Sequence, residues 1–264
     1  MDRAKWIASC AQSEEDRILL ARVYERIEQG MMRSIPTSTC FLSPREQALS
    51  ERLLRGAGLT EFLFFGGDDS AERVVCVHLP DYCDESWLFG EDSPLTAFRA
   101  DYFAGDRLTH RDFLGSLMGC GVKRETVGDI RVSEGSCEFV VLREIAPYIE
   151  QNLISAGRTK LSVSEIPLRD WKAPELRSEM ISDTVATLRL DSVVASGFRI
   201  SRGRATELIE AGRASLNNLP CLKPDKQVAE GDRISLQGFG KIRLDTVRGT
   251  TKKGRIALTL EKFC

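Results

Sequence analysis

Residues 187–216 read TLRLDSVVASGFRISRGRATELIEAGRASL, and the C-terminal part of the fold follows from this stretch. Leu190, Val193 and Val194 recur at helical spacing and give a first short helix one apolar face, with Gly197 as its expected stop. Ser201 is placed to cap a second helix whose inward side is Ala205, Leu208 and Ile209, and Gly212 is its expected left-handed terminator. With so few residues between them, the two helices must meet as a compact corner. Neither can bury its apolar face alone. Short strands follow at 213–216, 233–236, 241–247 and 256–261, with turns at Asn217-Asn218-Leu219-Pro220, at Gly231-Asp232 and at 249–254. The expectation is two helices packed on a small sheet.

Charge divides the chain at the same place. The 264 residues carry a net charge of −2, but residues 185–264 hold 15 Lys and Arg against 8 Asp and Glu, and the remainder holds 22 against 31. An acidic body with a basic tail points that tail toward a polyanion, although charge alone fits a solvated face equally well. Ser201-Arg202-Gly203-Arg204 sets two guanidinium groups in the first turn of a helix, where free backbone N–H groups and the dipole already favour an anion. That placement costs least if an external anion occupies the site, and arginine forks onto phosphate oxygens. The candidate RNA contacts are Arg189, Ser201, Arg202, Arg204, Arg213, Asn217, Lys223, Lys241 and Arg243. Each arginine alone reads more simply as an exposed or ion-paired residue, for example Arg189 with Asp191 or Glu207. Taken together on one small scaffold, they favour RNA.

Arg189-Leu190-Asp191, Gly197, Ser201-Arg202, Ala205, Ile209, Gly212, Asn217-Asn218, Val228 and Gly231-Asp232 resemble the S-four RNA-binding domain in order and spacing. That domain, also called the αL motif, occurs in a ribosomal protein, pseudouridine synthases, tyrosyl-tRNA synthetases and a small heat-shock protein. The likeness covers about fifty residues. Asn218 departs from it where members often have glycine, and asparagine tolerates the left-handed turn conformation nearly as well. The resemblance implies RNA contacts at Arg189 and Arg202.

Upstream, residues 1–92 read as a helical then mixed region. A helix over 16–28 has Ile18, Leu19, Val23 and Ile27 on its expected inner face, and Ser43-Pro44-Arg45-Glu46 is a capping-box start for a helix burying Leu49, Leu53 and Leu54. Two strands are expected at 61–65 and 73–79. Residues 93–168 read as strand (96–103), helix (109–118), strand (128–132), strand (137–143), helix (145–156) and strand (159–166), the βαββαβ or ferredoxin-like order. Residues 169–184 read as a polar linker with an exposed Trp171 and a short helix near Glu175, and 185–264 as the S-four-type domain. The fold class is therefore α+β in three units.

Residues 108–117, LTHRDFLGSL, with Gly121-Val122-Lys123-Arg124-Glu125 and Gly128-Asp129-Ile130, resemble the middle domain of the YlmH family, so that the likeness covers nearly the whole chain. It implies a bacterial cytosolic protein, often encoded near cell-division genes and linked to ribosome-associated quality control. In that setting the family is thought to bind the large ribosomal subunit with peptidyl-tRNA during tailing of stalled chains. Relatives in photosynthetic lineages are labelled photosystem II S-four proteins. His110, Arg111, Lys123 and Arg124 are secondary RNA-contact candidates. A histidine at a helix start more often caps or packs, and Lys123 and Arg124 equally read as partners of a helix dipole.

Eight cysteines contain no Cys-x-x-Cys pair, and His78 and His110 are the two histidines, so no metal or other cofactor is expected and the cysteines read as small core residues. No apolar run approaches the roughly eighteen residues that span a bilayer, and no leader follows Met1, so a cytoplasmic monomer without a membrane is expected. No Walker-type loop or nucleophile–base pair is legible; Gly66-Gly67-Asp68-Asp69 lacks the lysine. The leading expectation is a non-catalytic binder of rRNA or tRNA on the large subunit. The alternatives are a pseudouridine-synthase-like RNA-modifying enzyme and a scaffold joining RNA to a protein partner, such as a cell-division or photosystem protein, through residues 1–170.

Overall fold

The computed structural model describes residues 3–171, 178–251 and 254–263. The chain forms two compact units, Met1–Ala173 and Pro174–Cys264.

The first unit opens with α1 (Arg3–Cys10), α2 (Glu14–Arg33), β1 (Thr37–Ser38) and α3 (Pro44–Gly56), followed by β2 (Leu63–Phe65) and β3 (Val75–His78), with β3 central in a three-stranded sheet. The α3 start is a true capping box: Ser43 Oγ accepts from Glu46 N at 3.4 Å, and Ser43 N donates to Glu46 Oε2 at 2.6 Å. Leu49, Leu53 and Leu54 are fully buried below it. The inner face of α2 differs from expectation. Leu20, Val23 and Ile27 are buried, whereas Ile18 is 48% exposed. At 3.6 residues per turn Ile18 lies roughly 160° around the helix from Leu20, so the two cannot share a face.

β4 (Leu95–Asp101), α4 (His110–Gly119), β5 (Val127–Ser133), β6 (Ser136–Leu142), α5 (Ala146–Asn152) and β9 (Ser162–Ile166) supply the βαββαβ order, in an antiparallel sheet β5-β6-β4-β9. Helix α5 is shorter than its periodicity suggests. Residues 155–160 instead form a small hairpin, β7 (Ser155–Ala156) and β8 (Thr159–Lys160), turning at Gly157, whose φ is 58°.

Strand alternation sends side chains to two cores. Phe98, Ala100, Phe139 and Val141 meet Phe113 and Leu117 of α4 and Ile149 of α5. Leu95, Ala97, Val140 and Leu142 meet Phe41, Val75, Leu88, Leu168 and Trp171 on the opposite side. Residues 1–92 and 93–168 thus pack around a shared core. Trp171, expected exposed, is only 2% exposed. The Arg131 guanidinium stands 3.8 Å from the centre of its ring and is held by Asp68 at 2.5 Å, so aromatic burial and a cation over the ring override the polar neighbourhood in sequence.

The second unit runs β10 (Ser178–Val185), α6 (Leu190–Phe198), α7 (Arg202–Glu210), β11 (Ala214–Leu216), β12 (Leu219–Pro220), β13 (Arg233–Leu236), β14 (Gly240–Thr250) and β15 (Ile256–Phe263), with sheet order β10-β15-β14-β13-β11-β12. The second half of the supposed linker is therefore a strand, paired along its whole length with β15. It is an edge strand burying only Ile181 and Val185, which hides its period in the sequence. The helix expected near Glu175, and Lys252 and Lys253 of the last turn, lie outside the described residues.

Val193, Val194, Leu208 and Ile209 seal the sheet residues Ile234, Ile242, Leu244 and Leu260. Gly197 does not stop α6. The helix continues to Phe198, and Arg199 ends it in the left-handed conformation at φ 53°. The role of Gly197 is contact: a Cβ there would stand 2.5 Å from Ile242 Cδ1 and 3.1 Å from Leu260 Cδ1. Asn217 and Asn218, at φ 50° and 64°, make the two-residue turn between β11 and β12, as a left-handed pair in a tight hairpin requires.

Candidate nucleic-acid interface

The helix corner places its charges by a buried carboxylate. Asp191, in the first turn of α6, has a side chain only 4% exposed. Arg189, the N-cap of α6, reaches it through Nε at 3.3 Å and Nη2 at 3.2 Å. Arg202, the first residue of α7, reaches the same carboxylate through Nε at 3.1 Å and Nη2 at 3.0 Å. Ser192 Oγ adds a bond of 3.3 Å. Burial works to raise the Asp191 pKa, but hydrogen bonds and charge from Arg189 and Arg202 outweigh it and hold the carboxyl below its ordinary range.

Two guanidinium groups on one carboxylate leave one positive charge uncompensated. Their side chains remain 35% and 52% exposed, and each commits Nε and Nη2 to Asp191. The carboxylate fixes the spacing of the two forks without neutralising them. This is the arrangement that anchors planar donors for phosphate oxygens.

A second segment borders the pair. Leu190 N donates to Lys226 O at 2.8 Å, Asp191 N to Pro224 O at 2.9 Å, and Arg189 bridges to Gln227. The exposed Lys223 and Lys226 are thereby carried alongside the start of α6. Lys226 was not among the sequence candidates. Its only signal was the Lys-Pro-Asp-Lys turn, which gives no hint that it docks on α6.

The remaining candidates divide. Ser201 Oγ accepts from Arg204 N at 3.2 Å and is spent capping α7. Arg204 pairs with Glu207 at 2.9 Å on the exposed face of the helix. Arg213 braces the 237–240 turn, donating to Gln237 O at 3.1 Å. Asn217 is tied to Asp232 at 2.8 Å and accepts from Arg233 N at 3.0 Å. Arg243 is held by Glu261 at 2.8 Å and Asp245 at 3.4 Å. Lys241 stands in β14 across from Ser235 and Phe263. Arg213, Asn217 and Arg243 thus serve turns and sheet pairing, because each finds an internal partner that sequence spacing does not reveal.

Among the secondary candidates, His110 and Arg111 begin α4 and are exposed, while the cap itself is made by Asp112, which accepts from Thr109 N at 2.8 Å. Lys123 is exposed. Arg124 turns inward, donating to Val127 O at 2.6 Å and Gly128 O at 3.3 Å. Burial, with Arg73 nearby, lowers its pKa to about 10. Arg124 is half-buried and braces the start of β5.

Comparison with known proteins matches residues 100–170 to the family described as "Putative RNA-binding domain in YlmH" and residues 188–234 to the "S4 domain". The "Ribosome-associated protein quality control protein P2" of Bacillus subtilis (strain 168) is 36% identical over 244 residues, which cover 90% of this chain and 91% of that protein. A solved structure, "Cell division protein ylmH from Streptococcus pneumoniae", is similar at 22% identity with a TM-score of 0.48, covering 60% of this chain and 94% of that one. Among the described residues no helix is long and apolar enough to cross a membrane.

Proposed function

The chain belongs to the YlmH family, and from that footing we propose that it is a non-catalytic RNA-binding protein that acts at the ribosome. The observation that carries the reading is the Arg189–Asp191–Arg202 clamp, which presents two fixed guanidinium groups beside Lys223 and Lys226. A polynucleotide backbone offers phosphates that such a pair can straddle. In this reading the bound RNA is rRNA, tRNA or both on the large subunit during handling of stalled chains; the name of the Bacillus relative supports its coarser part, ribosome-associated protein quality control.

Co-sedimentation with purified large subunits tests this. Arg202→Ala and Arg189→Ala are expected to weaken binding without unfolding the protein, and to reduce the slope of log affinity against log salt by about one each. Unchanged co-sedimentation, or an affinity indifferent to salt, would refute a phosphate-dominated interface. Mass spectrometry of RNA incubated with the protein should find every nucleoside unmodified; a modified one would favour the enzyme.

A further inference from the structure

Ferredoxin-like domains that bind RNA commonly do so on the sheet face opposite the helices, where exposed aromatics stack on bases. That face is closed here. Residues 41–89 and 168–171 cover Leu95, Ala97, Val140 and Leu142. Beyond them Arg99 is ion-paired to Asp101 at 2.9 Å and Glu138 at 3.3 Å. None of the exposed large hydrophobic side chains among the described residues lies on a strand of this sheet.

An aromatic is exposed at the end of the sheet instead. Phe103, just past β4, is 76% exposed. One side of its ring lies on Gly105, where a Cβ would meet Phe103 Cε1 at 2.3 Å, so the glycine makes room for the ring. Four exposed cations lie on this loop and on the segments next to it or joined to it: Arg107 within it, Arg111 in the first turn of α4, and Arg158 and Lys160 on the β7–β8 hairpin. The hairpin is fastened to the loop by Thr159 Oγ1, which donates to Asp106 Oδ2 at 2.9 Å. None of the four cations makes an ion pair among the described residues. Of the local acids, Asp101 is paired with Arg99, while Asp106 and Asp112, each bonded to a threonine hydroxyl and still charged, offset part of the positive charge together with Glu134.

We infer that this end of the domain, and not its sheet face, is a second RNA contact, in which an unpaired base stacks on Phe103 while Arg107, Arg111, Arg158 and Lys160 hold the flanking phosphates. The inference rests on the RNA-binding reading above and adds the ligand class, single-stranded or looped RNA. A flat ring with Gly105 on one side and most of its surface in water suits a base, and cations without ion pairs on the same loop and hairpin suit a phosphodiester chain.

The test uses the full chain and fluorescence anisotropy with a labelled unstructured 12-nucleotide RNA, beside a labelled hairpin RNA. Phe103→Ala is expected to weaken single-strand binding about tenfold, within the range of base-on-aromatic stacking, at an unchanged melting temperature. Phe103→Leu should lose as much, while Phe103→Trp retains or improves affinity. Arg107→Ala and Arg158→Ala should each flatten the salt dependence. Arg202→Ala reports separately on the helix corner through the hairpin RNA. No single-strand binding by the wild type, or full binding by Phe103→Ala, overturns the inference whether or not Arg202→Ala fails on the hairpin. Binding that survives in Phe103→Leu also overturns it, because an apolar protein contact tolerates leucine where a stacked base does not.

Discussion

Replacing Asp191 with alanine separates two views of the helix corner. If Asp191 merely quenched Arg189 and Arg202, its removal would expose two full charges and tighten RNA binding. The geometry argues the reverse. Both guanidinium groups are anchored by bonds of 3.0–3.3 Å to this one carboxylate. Freed of it, each must be ordered on binding at a cost of roughly 0.5–1.5 kcal/mol, or about 1–3 kcal/mol for the pair. Against this, deleting a negative charge near phosphate gains about 1 kcal/mol in water-like dielectric, less with salt. The expected balance is a weakening of about 1 kcal/mol, near fivefold. Stability should fall by about 1–2 kcal/mol, since bonds to charged groups are worth more than that when buried but these guanidiniums are 35% and 52% exposed. Asp191→Asn, which keeps an accepting oxygen, should fall between. Anisotropy against a structured RNA across a salt series, with a denaturant titration alongside, decides the matter. Tighter binding by Asp191→Ala at every salt, with unchanged stability, would refute the positioning argument.

Two further outcomes concern the scaffold. Asp16 is held by Arg45 at 2.7 Å, and that hydrogen bond, against the cost of burial, brings its pKa from 3.8 to about 2. A depressed carboxyl contributes stability above its ordinary value and loses it as pH falls through the folded value, so the first unit should weaken between about pH 4 and pH 2 by at most roughly 2 kcal/mol, less with solvent screening at the 35%-exposed Arg45. Asp16→Asn should remove that component from an acid titration; an identical acid profile would count against the pair. Gly197→Ala should destabilise the second unit by about 1–3 kcal/mol through overpacking against Ile242 and Leu260. A melting temperature equal to wild type would show that the helix and β14 yield without strain.

Much of the architecture was legible because the determining signals are local. Helical spacing of Leu190, Val193 and Val194, the Ser43 and Ser201 caps, the paired asparagines and the βαββαβ order each act within a few residues, and the structure realises all of them. Strand β10 escaped notice because an edge strand in polar sequence buries too few side chains to show its period. Trp171 differs from the sequence reading for a related reason: its burial depends on Arg131, whose approach no local pattern encodes.

The site shows the same division. The sequence by itself supplied the cations, their excess over residues 185–264, and the Arg-Leu-Asp triplet followed by a capped Ser-Arg start. Only tertiary structure decided which of those cations are presented. It set Arg189 and Arg202 on a shared carboxylate, drew Arg213 and Arg243 to internal acceptors, brought Lys226 beside α6, and closed a sheet face while leaving Phe103 in water. Charge is a property of composition, but the availability of a charge depends on which acceptors the fold brings within about 3 Å of it, a distance set by packing between segments remote in the chain.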